Sequence, residues 1–106
     1  MLLTTTPTIQ GHNIQRYIGI VTGETIVGAN VIKDFKASLT DFFGGRSGTY
    51  EKVLREAKDA ALQEMSERAA QVGANAIVGI DLDYETVGQA SSMLMVTCSG
   101  TAVQID

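Results

Sequence analysis

The sequence predicts an α+β protein in which an antiparallel sheet is covered on one side by a long helix and a shorter one. Three observations lead to this fold class. Apolar residues recur every three or four positions from about Tyr50 to Val72, alternate positions are apolar in Ala76–Val87 and Met93–Ile105, and β-branched residues are concentrated in Tyr17–Val27. The predicted order is β–β–α–α–β–β, and strands at both ends with helices between them are typical of a two-layer fold.

Composition limits the classes of function. The 106 residues suit one domain, 1–106, and the net charge is −4 with no basic run. Nucleic acid and anionic membranes are therefore poor partners. Cys98 is the only cysteine, so a disulfide framework within one chain is impossible. No apolar run is long enough to span a membrane and no basic region typical of a signal peptide is present, so we expect a cytoplasmic protein.

The N-terminal half contains two predicted strands and a first helix. Leu2–Thr5 predicts a short strand that ends before Pro7, and Tyr17–Val27 predicts a longer strand with apolar residues on both faces. Asn30 is typical of a helix N-cap. The helical spacing of the apolar residues after Asn30 predicts the shorter helix, which ends at Gly44.

The long helix has a narrow apolar stripe that consists mostly of alanine at its centre. Its main members are Val53, Leu54, Ala57, Ala60, Ala61, Met65 and Ala69. Small side chains let a helix lie close to a sheet, although each buries little area. Glu64 and Arg68 form an acid-before-base pair at i,i+4. Gly73 stands where a helix usually ends with a left-handed residue.

The two C-terminal strands are predicted to form an antiparallel hairpin. Strict alternation places one set of residues of Ala76–Val87 on one face, namely Ala76, Val78, Ile80, Leu82 and Tyr84, and the other set on the opposite face, namely Ile77, Gly79, Asp81, Asp83 and Glu85. Apolar residues remain on the sheet face that the helices leave uncovered, among them Met93, Met95, Val103 and Ile105. We expect a homo-oligomer that covers this face. The alternative is that N-terminal residues fold over it.

Several stretches together resemble a known family. They are Val21–Gly23, Gly28–Asn30, Asp34, Gly44–Glu51, Gly73–Gly79, Asp83–Gly88 and Ser99–Val103. With them, the whole chain resembles the YbjQ-like family of small bacterial and archaeal proteins. The resemblance implies a dodecin-type α+β subunit that assembles with itself into rings, typically pentamers or stacked pentamers. The family is often labelled as a heavy-metal-binding domain, and the resemblance therefore implies metal binding but no established biochemical function.

The glycine-rich stretch before the long helix is the first candidate ligand site. Gly44, Gly45, Arg46 and Ser47 precede a helix N-terminus, whose N–H groups and positive dipole end, together with the Arg46 guanidinium, suit an anion or a phosphate. The stretch lacks the lysine of a P-loop, and no strand leads into it. The alternative is a helix–helix turn in which Arg46 pairs with a carboxylate, Asp34 or Asp41.

The candidate metal ligands are carboxylates. A soft metal needs three or four thiolate or imidazole ligands, and the chain has one Cys and one His. Cys98 has the surroundings of a buried structural thiol, and His12 lies in a turn. Asp81, Asp83 and Glu85 share one strand face and suit a hard divalent ion such as Ca²⁺ or Mg²⁺, particularly if a ring gathers several copies. The alternative is a solvated acidic face.

Three functions remain open at this point. The first is a ring-forming protein that binds a small ligand or a divalent metal ion at subunit contacts. The second is a structural or adaptor homo-oligomer without a ligand. The third is an enzyme that uses residues around Arg46, Asp34 and Tyr50 between subunits, but no hydrolase or zinc-protease motif is present, and nothing places Cys98 beside His12.

Overall fold

The computed structural model describes residues 1–28, 48–89 and 93–106, without the side chains of residues 48–50. Its elements are β1 (Leu2–Leu3), β2 (Ile14–Val27), α1 (Gly48–Gln71), β3 (Ala76–Val87) and β4 (Met93–Ile105). The strands form one sheet in the order β1-β3-β4-β2, and α1 packs on one side of it. This confirms the α+β class. The shorter helix that was predicted to end at Gly44 lies outside the described residues.

The sheet is mixed, so the prediction of a purely antiparallel sheet was wrong. β4 pairs antiparallel with both β2 and β3, but β1 runs parallel to β3, with Leu2 opposite Ala76. Further backbone hydrogen bonds prolong this edge, since the Thr4 N–H donates to Ile77 O at 3.0 Å and the Ile80 N–H donates to Thr4 O at 3.1 Å. A strand of two residues is too short for its pairing direction to show in the sequence.

Helix α1 buries one row of residues that are four positions apart. These are Ala57, Ala61, Met65 and Ala69, with Val53, Leu54 and Leu62 partly buried beside them. The helix ends as the sequence predicts, because Gly73 has a φ of 87°. The Gly73 N–H donates to Ala70 O at 3.1 Å and the Ala74 N–H donates to Ala69 O at 3.0 Å, which is the hydrogen-bond pattern of a glycine-terminated helix.

Gly23 on β2 sets how closely α1 approaches the sheet. A Cβ atom at this position would lie 2.0 Å from the carbonyl oxygen of Ala61 and 2.9 Å from the amide nitrogen of Met65. The Cys98 thiol of the neighbouring strand lies at the same contact, with its Sγ 3.3 Å from Ala61 O. At this contact Gly23 and Ala61 therefore act together, because no side chain fits between the two backbones there.

Strand β3 exchanges its two sides at Gly79, so the predicted strict alternation was wrong. The pairing with β4 shifts register between Val78 and Asp81, and Gly79 has a φ of 63°. After this bulge Ile80 and Leu82 face α1, as Ile77 does, whereas Ala76 and Val78 lie in a second cluster on the other side of the sheet. An extra residue in a strand has this effect because side chains alternate with a period of two.

The N-terminal segment covers one end of the second side of the sheet. Ile9 and Ile14 pack against a cluster that consists of Ala76, Val78, Val103 and Ile105. Val103 and Ile105, which we expected to be uncovered, are therefore buried by residues of their own chain. Asn75 secures this end, since its Nδ2 donates to Ile105 O at 2.9 Å and its Oδ1 accepts from the Ile105 N–H at 2.8 Å.

Candidate functional site

The candidate site is the part of the sheet that neither α1 nor the N-terminal segment covers, here called the open face. Three strands contribute to it in register, and directly opposed residues put their side chains on the same side. From β2 to β3 through β4, its successive rows are Thr22–Ser99–Asp81, Glu24–Thr97–Asp83 and Ile26–Met95–Glu85. The pair Ile20–Thr101 borders them, beside Val78, which the N-terminal segment covers. The face thus has polar rows at its centre and apolar residues on either side of them.

The predicted acidic residues do lie together along one strand of this face. Asp81, Asp83 and Glu85 are all exposed. The hydrogen bond and the charge of Asp81 raise the pKa of Asp83, with smaller contributions from burial and from Glu85. Two neighbouring carboxyl groups therefore interact strongly enough to disfavour the ionised form of one of them.

Hydroxyl groups lie beside these carboxylates. Ser99 is opposite Asp81 and Thr97 is opposite Asp83, so the centre of the open face is rich in oxygen atoms. The three acidic side chains nevertheless remain separate along the strand. Within the described residues, no three His, Cys, Asp or Glu side chains converge on a point where they could hold a metal ion.

The apolar part of the open face is strongly exposed. Tyr17 is 67% exposed, Ile20 is 83% exposed and Ile26 is 58% exposed. Ile26 lies directly opposite Met95, and Met93 lies opposite Val87. A monomeric protein seldom leaves large aliphatic side chains of one sheet face in water to this extent.

Cys98 is a buried structural thiol, as the sequence predicts. It is 3% exposed, and its Sγ lies 3.3 Å from Ala61 O and 3.6 Å from Gly23 O. Burial raises the pKa of the thiol above its ordinary value, although the hydrogen bond with the Gly23 backbone opposes this rise. A buried thiol that resists ionisation is a poor ligand for a soft metal, because the thiolate is the form that binds.

His12 lies at the end of the molecule where the N-terminal turn meets the C-terminal residue. Its Nδ1 is 3.2 Å from the backbone oxygen of Asp106 and 3.4 Å from the carboxylate Oδ1. Asn13 N–H also donates to the Asp106 carboxylate, and this bond is the largest of the effects that lower the pKa of Asp106. His12 and Cys98 thus have entirely different partners, which gives no support to a dyad between them.

The sequence missed one polar cluster, between α1 and β2. Arg68 pairs with Glu64 on its own helix as predicted, but it also forms two hydrogen bonds with Glu24, from Nη2 at 3.0 Å and from Nη1 at 3.2 Å. Nη1 also donates to the carbonyl oxygen of Thr22 at 2.9 Å. No local pattern marks this contact, because the residues are distant in the sequence. The glycine-rich stretch Gly44, Gly45, Arg46 and Ser47 lies outside the described residues.

Comparison with known proteins agrees with the fold. Among solved structures, the chain is similar to the crystal structure of a protein of unknown function from Pediococcus pentosaceus, described as belonging to the DUF74 family, with a TM-score of 0.62, 19% sequence identity, and coverage of 100% of this chain and 98% of that chain. No helix among the described residues is long and apolar enough to cross a membrane. The YbjQ family, described as "Putative heavy-metal-binding", matches residues 1–106. The chain therefore belongs to the YbjQ family.

Proposed function

We propose that this is a cytoplasmic self-associating protein whose copies cover the open face and close into a ring, with a pentamer as the expected size. The observation that carries the proposal is the exposure of Tyr17, Ile20 and Ile26 on the side of the sheet opposite to α1. Complete burial of one isoleucine contributes about 1.5–3 kcal/mol. Covering these residues would therefore add several kcal/mol to the stability of an assembly.

The charge of the open face favours a ring over a face-to-face dimer. A two-fold contact would place the same surface on both sides, and would oppose two rows that each contain Asp81, Asp83 and Glu85. The raised pKa of Asp83 indicates that one such row is already crowded with negative charge. A head-to-tail contact places the acidic row against a different surface of the next copy. Repeated contacts of this kind form a ring when the rotations between successive copies add up to a full turn.

The mass of the protein in solution tests the proposal. Sedimentation velocity should find an oligomer for the parent and a smaller species for Ile20→Lys, because a charge in the contact would have to be desolvated. Val72→Lys is the control, since Val72 is also 50% exposed but lies just after α1 and not on the open face. A parent protein that sediments as a lone, folded protomer at micromolar concentration would contradict the proposal.

A second candidate function is binding of a hard divalent cation by Asp81, Asp83 and Glu85. The specific observation in its favour is the raised pKa of Asp83, which the hydrogen bond and then the charge of Asp81 cause, because a cation would relieve the repulsion between these carboxylates. The groups available are carboxylates with neighbouring hydroxyls, which suit Ca²⁺ or Mg²⁺ better than a heavy metal. In a ring, carboxylates from adjacent copies would complete the ligand set that one copy lacks.

Titration calorimetry with Ca²⁺, Mg²⁺ and Zn²⁺ tests this second function. We expect heat from Ca²⁺ or Mg²⁺ with the parent, and its loss in Asp81→Asn and Asp83→Asn. Asp59→Asn is the matched control, since it removes one exposed carboxylate that lies on α1 and pairs with Lys58 of the same helix. Absence of heat from both hard cations, or heat that persists in the two β3 variants, would refute the site.

The anion site at Gly44, Gly45, Arg46 and Ser47 remains a prediction from the sequence. A screen of phosphate-containing ligands against the parent and Arg46→Ala would test it, with native mass spectrometry to confirm that the assembly persists. Native mass spectra of protein taken directly from cells would also show whether a ligand co-purifies. A bare assembly with no added mass and no binding in the screen would favour the structural or adaptor function.

A further inference from the structure

The outer edge of β2 carries a contact that the proposed function does not use. β2 is the last strand of the sheet in the part of the chain that the structure describes, and its 14 residues make it the longest. Within an antiparallel ladder, alternate residues of an edge strand point their N–H and C=O groups away from the sheet. The Thr22 carbonyl belongs to this outward set, because the guanidinium of Arg68 reaches it from α1 at 2.9 Å.

Arg68 lies across the middle of this edge and is held there from two sides. Glu24, the next outward residue of β2, accepts hydrogen bonds from both terminal nitrogens of Arg68, and Glu64 pairs with it on α1. The outward residues on either side, Ile20 and Ile26, are among the most exposed aliphatic side chains of the protein. A long, β-branched edge strand is a template for another strand, and charged groups are a usual means of closing it.

We propose that Arg68 closes the outer edge of β2 against antiparallel pairing with β2 of a second copy. The strand is self-complementary in one register, centred on Gly23. In this register Ile20 would pair with Ile26 of the other copy and Thr22 would pair with Glu24, so every outward residue from 20 to 26 has a suitable neighbour. The guanidinium at Thr22 O occupies the centre of that register. This inference concerns the strand edge and stands whether or not the open face is an interface.

Engineered cysteines report the register directly. Ile20→Cys and Ile26→Cys are introduced together, because residues that exchange backbone hydrogen bonds have Cα atoms about 5.5 Å apart, a separation that a disulfide spans. Native Cys98 does not interfere, since it is buried. In the background of Arg68→Ala we expect a several-fold increase in disulfide-linked dimer under mild oxidation, and peptide mapping should place the bond between positions 20 and 26.

Two control backgrounds separate this effect from loss of a charge and from loss of stability. Lys58→Ala removes a cation of α1 that pairs with Asp59 and not with β2. Leu62→Ala removes a partly buried side chain of the same helix and leaves the Arg68 contacts in place. If either control dimerises through positions 20 and 26 as strongly as Arg68→Ala, the inference is wrong.

A second variant covers the case in which Arg68→Ala does not fold. Glu24→Gln keeps the size of the side chain but removes the charge that holds the guanidinium at the edge, and it should also increase the linked dimer. Circular dichroism establishes which variants are folded. No increase over Lys58→Ala in whichever of Arg68→Ala and Glu24→Gln is folded would overturn the proposal.

Discussion

Replacement of Gly23 by alanine tests the close contact between α1 and the sheet. The added Cβ would lie 2.0 Å from Ala61 O, whereas such contacts essentially never fall below 3.0 Å, so the helix backbone must move by at least about 1 Å. Overpacking usually costs about 1–3 kcal/mol, and the upper end applies here because the obstacle is backbone. For a chain of this size, about 3 kcal/mol lowers Tm by roughly 10–20 °C.

The matched control is Gly28→Ala, just beyond the same strand. Within the part of the chain that the structure describes, no atom lies within 4 Å of a Cβ at this position, and its φ is outside the left-handed region. The same substitution should therefore change the free energy of unfolding by less than about 1 kcal/mol. Thermal melts at one fixed protein concentration compare the two variants, since association makes Tm depend on concentration. A Gly23→Ala protein that melts with the parent would refute the packing described for α1.

Three further outcomes are expected. Asn75→Ala should lower the free energy of unfolding in urea by about 1–3 kcal/mol, because the Ile105 N–H and C=O lose their partner; an unchanged value would contradict this. Asp83→Asn should raise Tm at pH 7, since a carboxyl group whose pKa is raised by folding destabilises the folded state above that pKa. The gain should vanish below the unfolded pKa of about 3.9, and an equal gain at pH 3 would contradict the cause. The Cys98 thiol should react with a disulfide reagent only after unfolding, which absorbance measures; rapid native reaction would contradict its burial.

Local periodicity was sufficient for much of this fold. The bounds of β3 and β4 agree with the alternation in the sequence, because this pattern depends on neighbours along the chain. The stripe of α1 agrees with the helical spacing except at Ala60, which was predicted to belong to it and is exposed. The direction of β1 and the bulge at Gly79 could not be predicted in this way. Both depend on which strand pairs with which. A single glycine within an alternating strand is compatible with a bulge, a bend or a close approach of another backbone, so it does not predict one of them.

The candidate site was likewise predictable only where it depends on residues that are neighbours along the chain. The acidic row was found because its residues alternate along one strand, but its hydroxyl neighbours Thr97 and Ser99 follow from the register with β4. The contact between Arg68 and Glu24 joins distant parts of the chain, and the sequence offers Arg68 a nearer partner in Glu64. Because Glu64 and Arg68 already form an i,i+4 pair on the helix, the sequence does not indicate that Arg68 has a second partner on the sheet.

The acidic residues after Gly79 have a consequence for folding that does not depend on any ligand. If β3 lost its bulge and became a regular strand, Asp81 and Asp83 would turn beneath α1, and Ile80 and Leu82 would turn into water. Burial of two unpaired carboxylates is so unfavourable that this straightened strand is not a competing state. The charges of Asp81 and Asp83 thus fix the pairing register of β3, because they disfavour every arrangement in which the bulge at Gly79 is lost.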